Sequence, residues 1–456
     1  MRIISIIILC VFSHSTDSLQ PVSQNIEFLY QLLLEQAEER LTEELSLPDG
    51  DDDAAHEDLL EEYLFYLENP LNINSDEVIH LEEIGLLSVF QTEALRQYRR
   101  QFGDLIFIDE LLMMDEFNEA VVSVIGPLIY FGKSENAMEQ ERPRLGKMLT
   151  QGRHQVTVNY AQKLGDTATS YLGDPVKLQV KYAYHYKQRL RFGVAMEKDA
   201  GEPLLFGNLG DTVRDIVRQH RLPGFDFYGL HLHASDLWLT KRESLGLVVK
   251  DLAFGDYLLS FGQGLTLWSG MSLGKASGGS SPMKRAAGVR PKASTGEGNF
   301  FRGAATTFKY KDWCATAFYS LRHIDATIME SDTLTDELDD AELVSALQET
   351  GYHRTLTEIE RRHAVRQQVY GGHLCYAGPQ LEVGFTAYHL RLDKVLQLKP
   401  SKYNQFYFQG DRLTDLGLDF RWLWGKTVFF GELSLTGQLR PVSGALPMAL
   451  APREVG

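Results

Sequence analysis

The sequence predicts an α+β multidomain protein in which an all-α N-terminal region precedes an antiparallel β-barrel of the transmembrane type. Two observations support this fold class. Residues 21–132 carry 26 acidic and four basic side chains, a net charge of −22, whereas the chain after them carries 35 acidic and 40 basic residues, a net charge of +5. From about residue 153 onward, apolar and polar residues alternate, which is the period of strands with one apolar and one polar face.

The N-terminus has the pattern of a secretory signal peptide. Arg2 is followed by an almost uninterrupted apolar run over residues 3–12, and Ser13 and Ser15 are small residues at the cleavage positions. The run is too short to span a bilayer as a helix. We therefore expect residues 1–18 to be a signal peptide and the protein to be exported.

Residues 19–132 predict an acidic helical domain. Apolar residues recur at helical spacing in two segments: Ile26, Leu29, Tyr30, Leu33 and Leu34, and then Leu59, Leu60, Tyr63, Leu64 and Leu67. The acidic run 49–53 between them predicts a solvated loop, because it lacks the ligand spacing and closing glutamate of an EF-hand. Residues 133–152 are predicted to link this domain to the barrel.

Within the acidic domain, residues 71–132 predict two helical hairpins. The order of the phrases "LNIN", "YR..FG" and "IDEL" resembles the tandem helix-hairpin-helix module of competence-type DNA-binding proteins. In that family, glycine-containing turns bring backbone N–H groups to DNA phosphates. The resemblance places nucleic-acid contacts at Gly85, Leu86, Arg99 and Arg100.

The hairpin turns depart from the family pattern. The first turn, 84–88, keeps one glycine, and the second, 114–118, keeps none and has Asp115 and Glu116 where a phosphate would bind. Phosphate binding also needs clustered basic residues, which a net charge of −22 does not provide. These departures favour a structural or protein-docking role for the module over DNA binding.

Residues 153–437 predict about 13 strands of the barrel. They cover 153–161, 176–186, 189–197, 225–235, 242–251, 255–268, 300–311, 313–322, 368–377, 379–391, 403–409, 413–424 and 427–437. Tight connections near 187, 312, 378 and 425 alternate with long ones at 199–224, 269–299 and 323–367. This asymmetry and the aromatic residues at strand ends favour an outer-membrane barrel over the soluble alternatives, a β-sandwich or a propeller.

Three further phrases occur in the second half: "EKDAGEP" at 197–203, "GDYLLSFGQGLTLWSGMSLGK" at 255–275 and "FFRGAA" at 300–305. With the hairpin module before them, they resemble a family of Bacteroidetes helix-hairpin-helix envelope proteins whose C-terminal part is barrel-like. The resemblance implies an outer-membrane location with the helical domain in the periplasm, and membrane lipid and unidentified envelope proteins as partners. Because residues 438–456 form an irregular tail, we expect a truncated member with an incomplete barrel, or a strand count wrong by one.

Candidate chemical motifs are few. The segment 270–275 (GMSLGK) is one residue short of a phosphate loop, and Gly262-Gln263-Gly264 predicts a strand bend or bulge. His231 and His233 share a strand face, but no third zinc ligand is evident nearby. Cys314 and Cys375 fit no metal pattern, although they could pair in an oxidising compartment. The loop 323–367, acidic first and basic last, predicts either a helix over the barrel mouth or a solvated external loop.

These observations lead to three functional hypotheses. The leading one is a non-enzymatic envelope protein, without catalytic residues, cofactor or metal, that acts as a channel, a conduit or a docking platform. The alternative is a DNA-binding component of competence-type DNA uptake. An outer-membrane enzyme such as a lipase would need a serine, histidine and acid cluster, which no motif in the sequence indicates.

Overall fold

The computed structural model is mostly β, with half of the described residues in strands and a fifth in helices. It describes residues 2–13, 61–134, 145–164, 171–204, 211–220, 224–238, 247–270, 283–329, 343–348, 351–378, 380–398, 407–425 and 427–435. The predicted helix at 26–34, the acidic run 49–53 and the tail 438–456 lie outside the described residues. Among the described residues, no helix is long and apolar enough to cross a membrane.

The described strands fall into one large sheet and one small one. In chain order they are β1 (Arg2–Ser13), β2 (Leu71–Asn72), β3 (Ile129–Tyr130), β4 (Arg153–Leu164), β5 (Val176–Tyr186), β6 (Leu190–Lys198), β7 (Phe227–Trp238), β8 (Leu247–Ser260), β9 (Gly288–Pro291), β10 (Phe301–Tyr310), β11 (Trp313–Ile328), β12 (Leu343–Gln348), β13 (Val365–Ala377), β14 (Leu381–Leu396), β15 (Gly410–Trp424) and β16 (Thr427–Ser434). The described helices are α1 (61–68), α2 (Ile79–Glu83), α3 (Val89–Phe102), α4 (Glu119–Ile125), α5 (Leu145–Thr150), α6 (Asp211–His220) and α7 (Leu356–Glu360).

The large sheet is a meander of long antiparallel strands that curls into a barrel-like form. Hydrogen bonding follows the order β1-β4-β5-β6-β7-β8-β10-β11-β13-β14-β15-β16, with β9 added on β8 and β12 bridging the ends of β11 and β14. Among the described residues, β1 and β16 each pair with one neighbour only. The tight turns all lie at one end of the barrel, here called the short-turn end, and the long connections lie at the opposite, long-loop end.

Strand register separates an outer from an inner face of the sheet, most clearly in two adjacent rows. One row of cross-strand partners is apolar and points outward; it consists of Phe308, Ala315, Leu374, Phe385, Leu418 and Leu433. The adjacent row points inward and consists of Thr307, Thr316, His373, Thr386, Gly417 and Ser434. The structure thus confirms the predicted alternation and the β-rich second half.

Some predicted strand boundaries were wrong. Residues 247–251 and 255–260 of the two strands predicted at 242–251 and 255–268 belong to the single strand β8, which continues through Gly255 at φ +86°, and residues 261–268 leave the strand. A Cβ on Gly255 would lie 2.0 Å from the Leu230 carbonyl oxygen, so the close approach of β7 requires glycine there. The described residues of the predicted strand 403–409, residues 407–409, are not in a strand, and β9 and β12 were not predicted.

The predicted signal peptide and the predicted linker both contain regular structure that was not expected. Residues of the predicted signal peptide form β1, which pairs antiparallel with β4 from Arg2–Leu164 to Ser13–Arg153. Signal cleavage, which stays a prediction, would leave β4 at the edge of the sheet. The predicted linker contains α5, whose Met148 packs with Tyr184 among other residues of β5 and β6.

Cys314 and Cys375 lie directly opposite each other on β11 and β13, with both thiols free. Directly opposed residues of an antiparallel pair have Cα atoms about 4.5–5.5 Å apart, which is within the span of a disulfide. We expect oxidised glutathione to convert the two thiols of the folded protein into one intramolecular disulfide. Thiol titration and intact mass would measure the loss of two thiols and two hydrogens, and Cys375→Ser would block this loss. An unchanged thiol count after oxidation of the folded chain would contradict the pairing.

Candidate functional site between the helical domain and the barrel wall

The helical domain is a compact unit of two hairpins joined by buried asparagines. Asn74 donates its side-chain N–H groups to the carbonyls of Leu105 and Gly132, both at 2.8 Å, and its Oδ1 accepts from the Leu105 amide. Asn72 accepts from the Gly132 amide through Oδ1. The two asparagines of "LNIN", which precede the first hairpin, therefore bind the chain after the first hairpin at Leu105 and the chain after the second hairpin at Gly132. Ser75 caps the turn that follows "LNIN".

The acidic face of α1 docks on the inner face of the barrel wall. Arg191 of β6 donates through Nη1 to both carboxylate oxygens of Glu62, at 2.9 and 2.7 Å, and its guanidinium carbon lies 3.3 Å from the Phe65 ring centroid. Both charged side chains are about nine-tenths buried. Burial alone would raise the pKa of Glu62, but the charges of Arg191 and Arg290 and the hydrogen bond from Arg191 lower it.

Further ion pairs extend this contact. Glu61 pairs with Lys181 at 2.8 Å, and Glu68 lies 3.4 Å from Arg153. The Glu82 carboxylate pairs with Arg421 of β15 at 3.0 Å, on the far side of the barrel from β6. Four described acidic side chains of the helical domain, those of Glu61, Glu62, Glu68 and Glu82, thus pair with basic side chains of the barrel.

The helical domain occupies the short-turn end of the barrel. Gln188, in the tight turn between β5 and β6, donates to the carbonyls of Asn69 and Pro70, each at 3.1 Å. Arg285, from the chain between β8 and β9, donates to the Glu82 carbonyl at 2.9 Å. The domain therefore contacts the barrel on several sides of the lumen, and it is here called the plug.

A cavity remains between the plug and the wall. It is open to solvent and is lined by residues of α1, of the first hairpin turn and of the inner face of the barrel. Acidic residues of the plug face basic and histidine side chains of the wall, which include Lys181, His185, Arg191 and His231. The lining also includes apolar side chains such as Phe65, Leu258 and Trp268, so the cavity combines charged and apolar surfaces next to the plug.

Residues 261–270, with the sequence "FGQGLTLWSG", turn inward from the barrel wall after β8 and are here called the inward segment. The amides of Gln263, Leu265 and Thr266 all donate to the carboxylate of Glu432 on β16, at 2.7–2.8 Å. Phe261 stacks on His373 with ring centroids 4.3 Å apart. The predicted bend at 262–264 is a turn in which both glycines have positive φ, and it carries the chain into the lumen rather than along a strand.

The predicted nucleic-acid contacts do not form one surface. Gly85 has φ +82° and lines the cavity toward the barrel wall, and Leu86 packs on the core of the helical domain. Arg99 donates to the Ser75 carbonyl at 3.3 Å, whereas Arg100 is exposed. The structure therefore brings Gly85 to the wall and leaves Arg100 at the surface of α3.

His231 and His233 both lie buried on the inner face of β7, as their spacing predicted. His231 packs over Gly193, and His233 Nε2 lies 3.4 Å from the Asp251 carboxylate. Among the described residues, neither belongs to a group of three side chains close enough to hold one metal ion.

Comparison with known proteins adds no family assignment, since no protein-family model matches the chain and no curated protein matches it.

Proposed function

We propose that the protein is a non-enzymatic outer-membrane barrel whose lumen is closed at one end by the helical domain. The observation that carries this proposal is the reversed polarity of the sheet. On the outer face, Leu374, Phe385, Leu418 and Leu433 are 39–59% exposed, whereas on the inner face Thr316 and Thr386 are at most 7% exposed. Water-soluble monomers rarely expose a continuous apolar surface of this extent.

The soluble alternatives would place the apolar face inside. A β-sandwich buries the apolar faces of two sheets against each other and exposes the polar faces to water. Here the inner face, which combines polar rows with an apolar cluster around Tyr257, Phe318 and Tyr388, surrounds the plug and the inward segment, while a continuous apolar surface is left outside. A transmembrane barrel has this arrangement because lipid contacts the apolar face and the lumen is polar.

The orientation of the plug supports a periplasmic location of the helical domain. Transmembrane barrels place their short turns in the periplasm and their long loops outside the cell. The plug contacts the short-turn end, and exposed Trp313, Trp422 and Trp424 lie on the outer face near that end. Tryptophans at this level match the aromatic belt of a membrane interface.

The plug also offers a surface for envelope partners. Phe102, Ile106, Phe107 and Met113, around the second hairpin, are 65–77% exposed. Exposed apolar side chains grouped in this way favour protein contacts. The protein would then be a gated conduit whose plug is held by ion pairs and is accessible to periplasmic proteins.

A conductance measurement tests the conduit. The full chain is folded into planar lipid bilayers and its current is recorded at moderate voltage. We expect stable insertion with little current, because the plug fills the short-turn end, and stepwise current once mild urea releases the plug. Stable insertion with no current after plug release would reduce the proposal to a docking platform.

The DNA-uptake alternative receives no specific support from the described residues, since Gly85 faces the wall and Asp115 and Glu116 remain in the second hairpin. Binding of the full chain to fluorescent duplex DNA at low salt would test it. Affinity that falls steeply with salt would favour that alternative, because released counterions dominate such binding.

A further inference from the structure

A buried cluster of carboxylates around one histidine lies at the long-loop end of the barrel. Glu202 follows β6, Asp226 precedes β7, Asp325 lies near the end of β11, and His353 belongs to the long connection between β11 and β13. The four residues are between 0 and 9% exposed. Segments far apart in the sequence are therefore joined here, opposite the plug.

The two ring nitrogens of His353 have different surroundings. Nε2 lies 2.7 Å from Asp325 Oδ2, the distance of a strong charge-assisted hydrogen bond. Nδ1 lies 3.3 Å from Asp226 Oδ2 and 3.8 Å from Glu202 Oε1. The Nδ1 contacts are long for hydrogen bonds between charged partners, while the Nε2 contact fixes the orientation of the ring.

We propose that His353 Nδ1, Glu202 and Asp226 bind a divalent transition-metal ion, with Asp325 as the residue that positions the histidine. Ligand atoms of one tetrahedral zinc ion are separated by about 3.3 Å at the usual metal–ligand distances, which resembles the separations around Nδ1. These three ligand atoms lie within 4.8 Å of one another. A metal-bound histidine ordinarily donates its other N–H to a carboxylate, and Asp325 has that place.

The charges of the cluster favour a cation at this position. Three carboxylates, those of Glu202, Asp226 and Asp325, lie within 3.8 Å of the ring nitrogens of His353. The bound ion replaces the proton on Nδ1, which is released to solvent, and the carboxylates of Glu202 and Asp226 supply the compensating negative charge.

The ion would join three segments of the chain. The Glu202 carboxylate already accepts from the His353 amide at 2.6 Å, and the Arg362 guanidinium donates to the Asp226 carbonyl. An ion at Nδ1 would lock the chain after β6 and the chain before β7 to the long connection that carries His353. The mixed nitrogen and oxygen ligands suit Zn²⁺ or Mn²⁺ better than Cu⁺, which prefers sulfur.

The test measures bound metal on the full chain folded in detergent. After treatment with a chelator and dialysis, the protein is titrated with Zn²⁺ or Mn²⁺ alone, and bound metal is quantified by mass spectrometry. We expect one ion per chain, a loss of affinity of at least about 100-fold in Glu202→Gln and His353→Ala, and a loss of about 10–100-fold in Asp325→Asn. His233→Asn, a buried histidine of the lumen, should bind like the unaltered protein.

Folding is checked for each variant by heat-modifiable gel mobility. Should His353→Ala fail to fold, Glu202→Gln and Asp325→Asn decide the matter. The proposal is overturned if the unaltered chain binds close to zero ions per chain in both the Zn²⁺ and the Mn²⁺ titration. It is equally overturned by unchanged affinity in the folded Glu202→Gln variant, because the ion would then lie elsewhere.

Discussion

Replacing Arg191 by alanine is expected to release α1 from the barrel wall. The substitution leaves the Glu62 carboxylate buried without its main partner and removes the guanidinium that stacks on Phe65. Breaking a buried ion pair by removing one partner costs about 3–5 kcal/mol. Limited proteolysis of the folded protein in detergent should then cleave the helical domain much faster, while the barrel fragment stays resistant.

Two controls separate this effect from a general loss of stability. The double variant Glu62→Met with Arg191→Met removes both charges, and it should recover most of the protection because no charge is left unpaired. Arg412→Ala breaks the exposed pair with Asp411 and should change little, since exposed pairs contribute about 0–1 kcal/mol. Equal proteolysis of the Arg191→Ala variant and the unaltered protein would show that the pair does not hold the plug.

Replacing Phe385 by arginine is expected to impair insertion into lipid. Phe385 is 39% exposed and lies in the outward row between Leu374 and Leu418. An arginine on the lipid face of a barrel costs about 2–4 kcal/mol near the bilayer midplane. Urea titration in lipid vesicles should show a lower free energy of unfolding by about that amount.

A matched substitution outside the apolar row gives the comparison. Tyr407, which is 53% exposed in the connection between β14 and β15, should tolerate arginine with little loss of stability. If Phe385→Arg and Tyr407→Arg had the same small effect in lipid, the outward row would not be in contact with lipid. If Phe385→Arg lowered the stability in lipid-free buffer but not in lipid vesicles, this result would also argue against the membrane assignment.

The barrel strands were predictable because the alternation of apolar and polar residues that identifies a strand is local in the sequence. In β5, alternation from Val176 to Tyr186 places Lys181 and His185 on one face, and the structure has both on the face that meets the plug. The tight turn at 187–188 was also predictable. The continuity of β8 through Gly255 was not predictable, because it depends on the close approach of β7 at this glycine.

The candidate sites depend on contacts between distant residues, which periodicity does not encode. The Glu62–Arg191 pair joins residues 129 positions apart, and the excess of acidic residues in the helical domain was the only sequence signal of a basic counterpart. His353 and Glu202 are 151 positions apart, and each stands in a loop without a metal-binding spacing of its own. Their juxtaposition follows from the topology of the barrel.

The most direct test of the account is the location and mobility of the full chain in a bacterium with two membranes. After expression with residues 1–18 in place, the membranes are washed with carbonate and run on a gel with and without boiling. We predict that the protein stays in the outer-membrane fraction and migrates faster when unboiled, since folded barrels resist the detergent. Recovery in the soluble periplasmic fraction, with one mobility under both conditions, would contradict it.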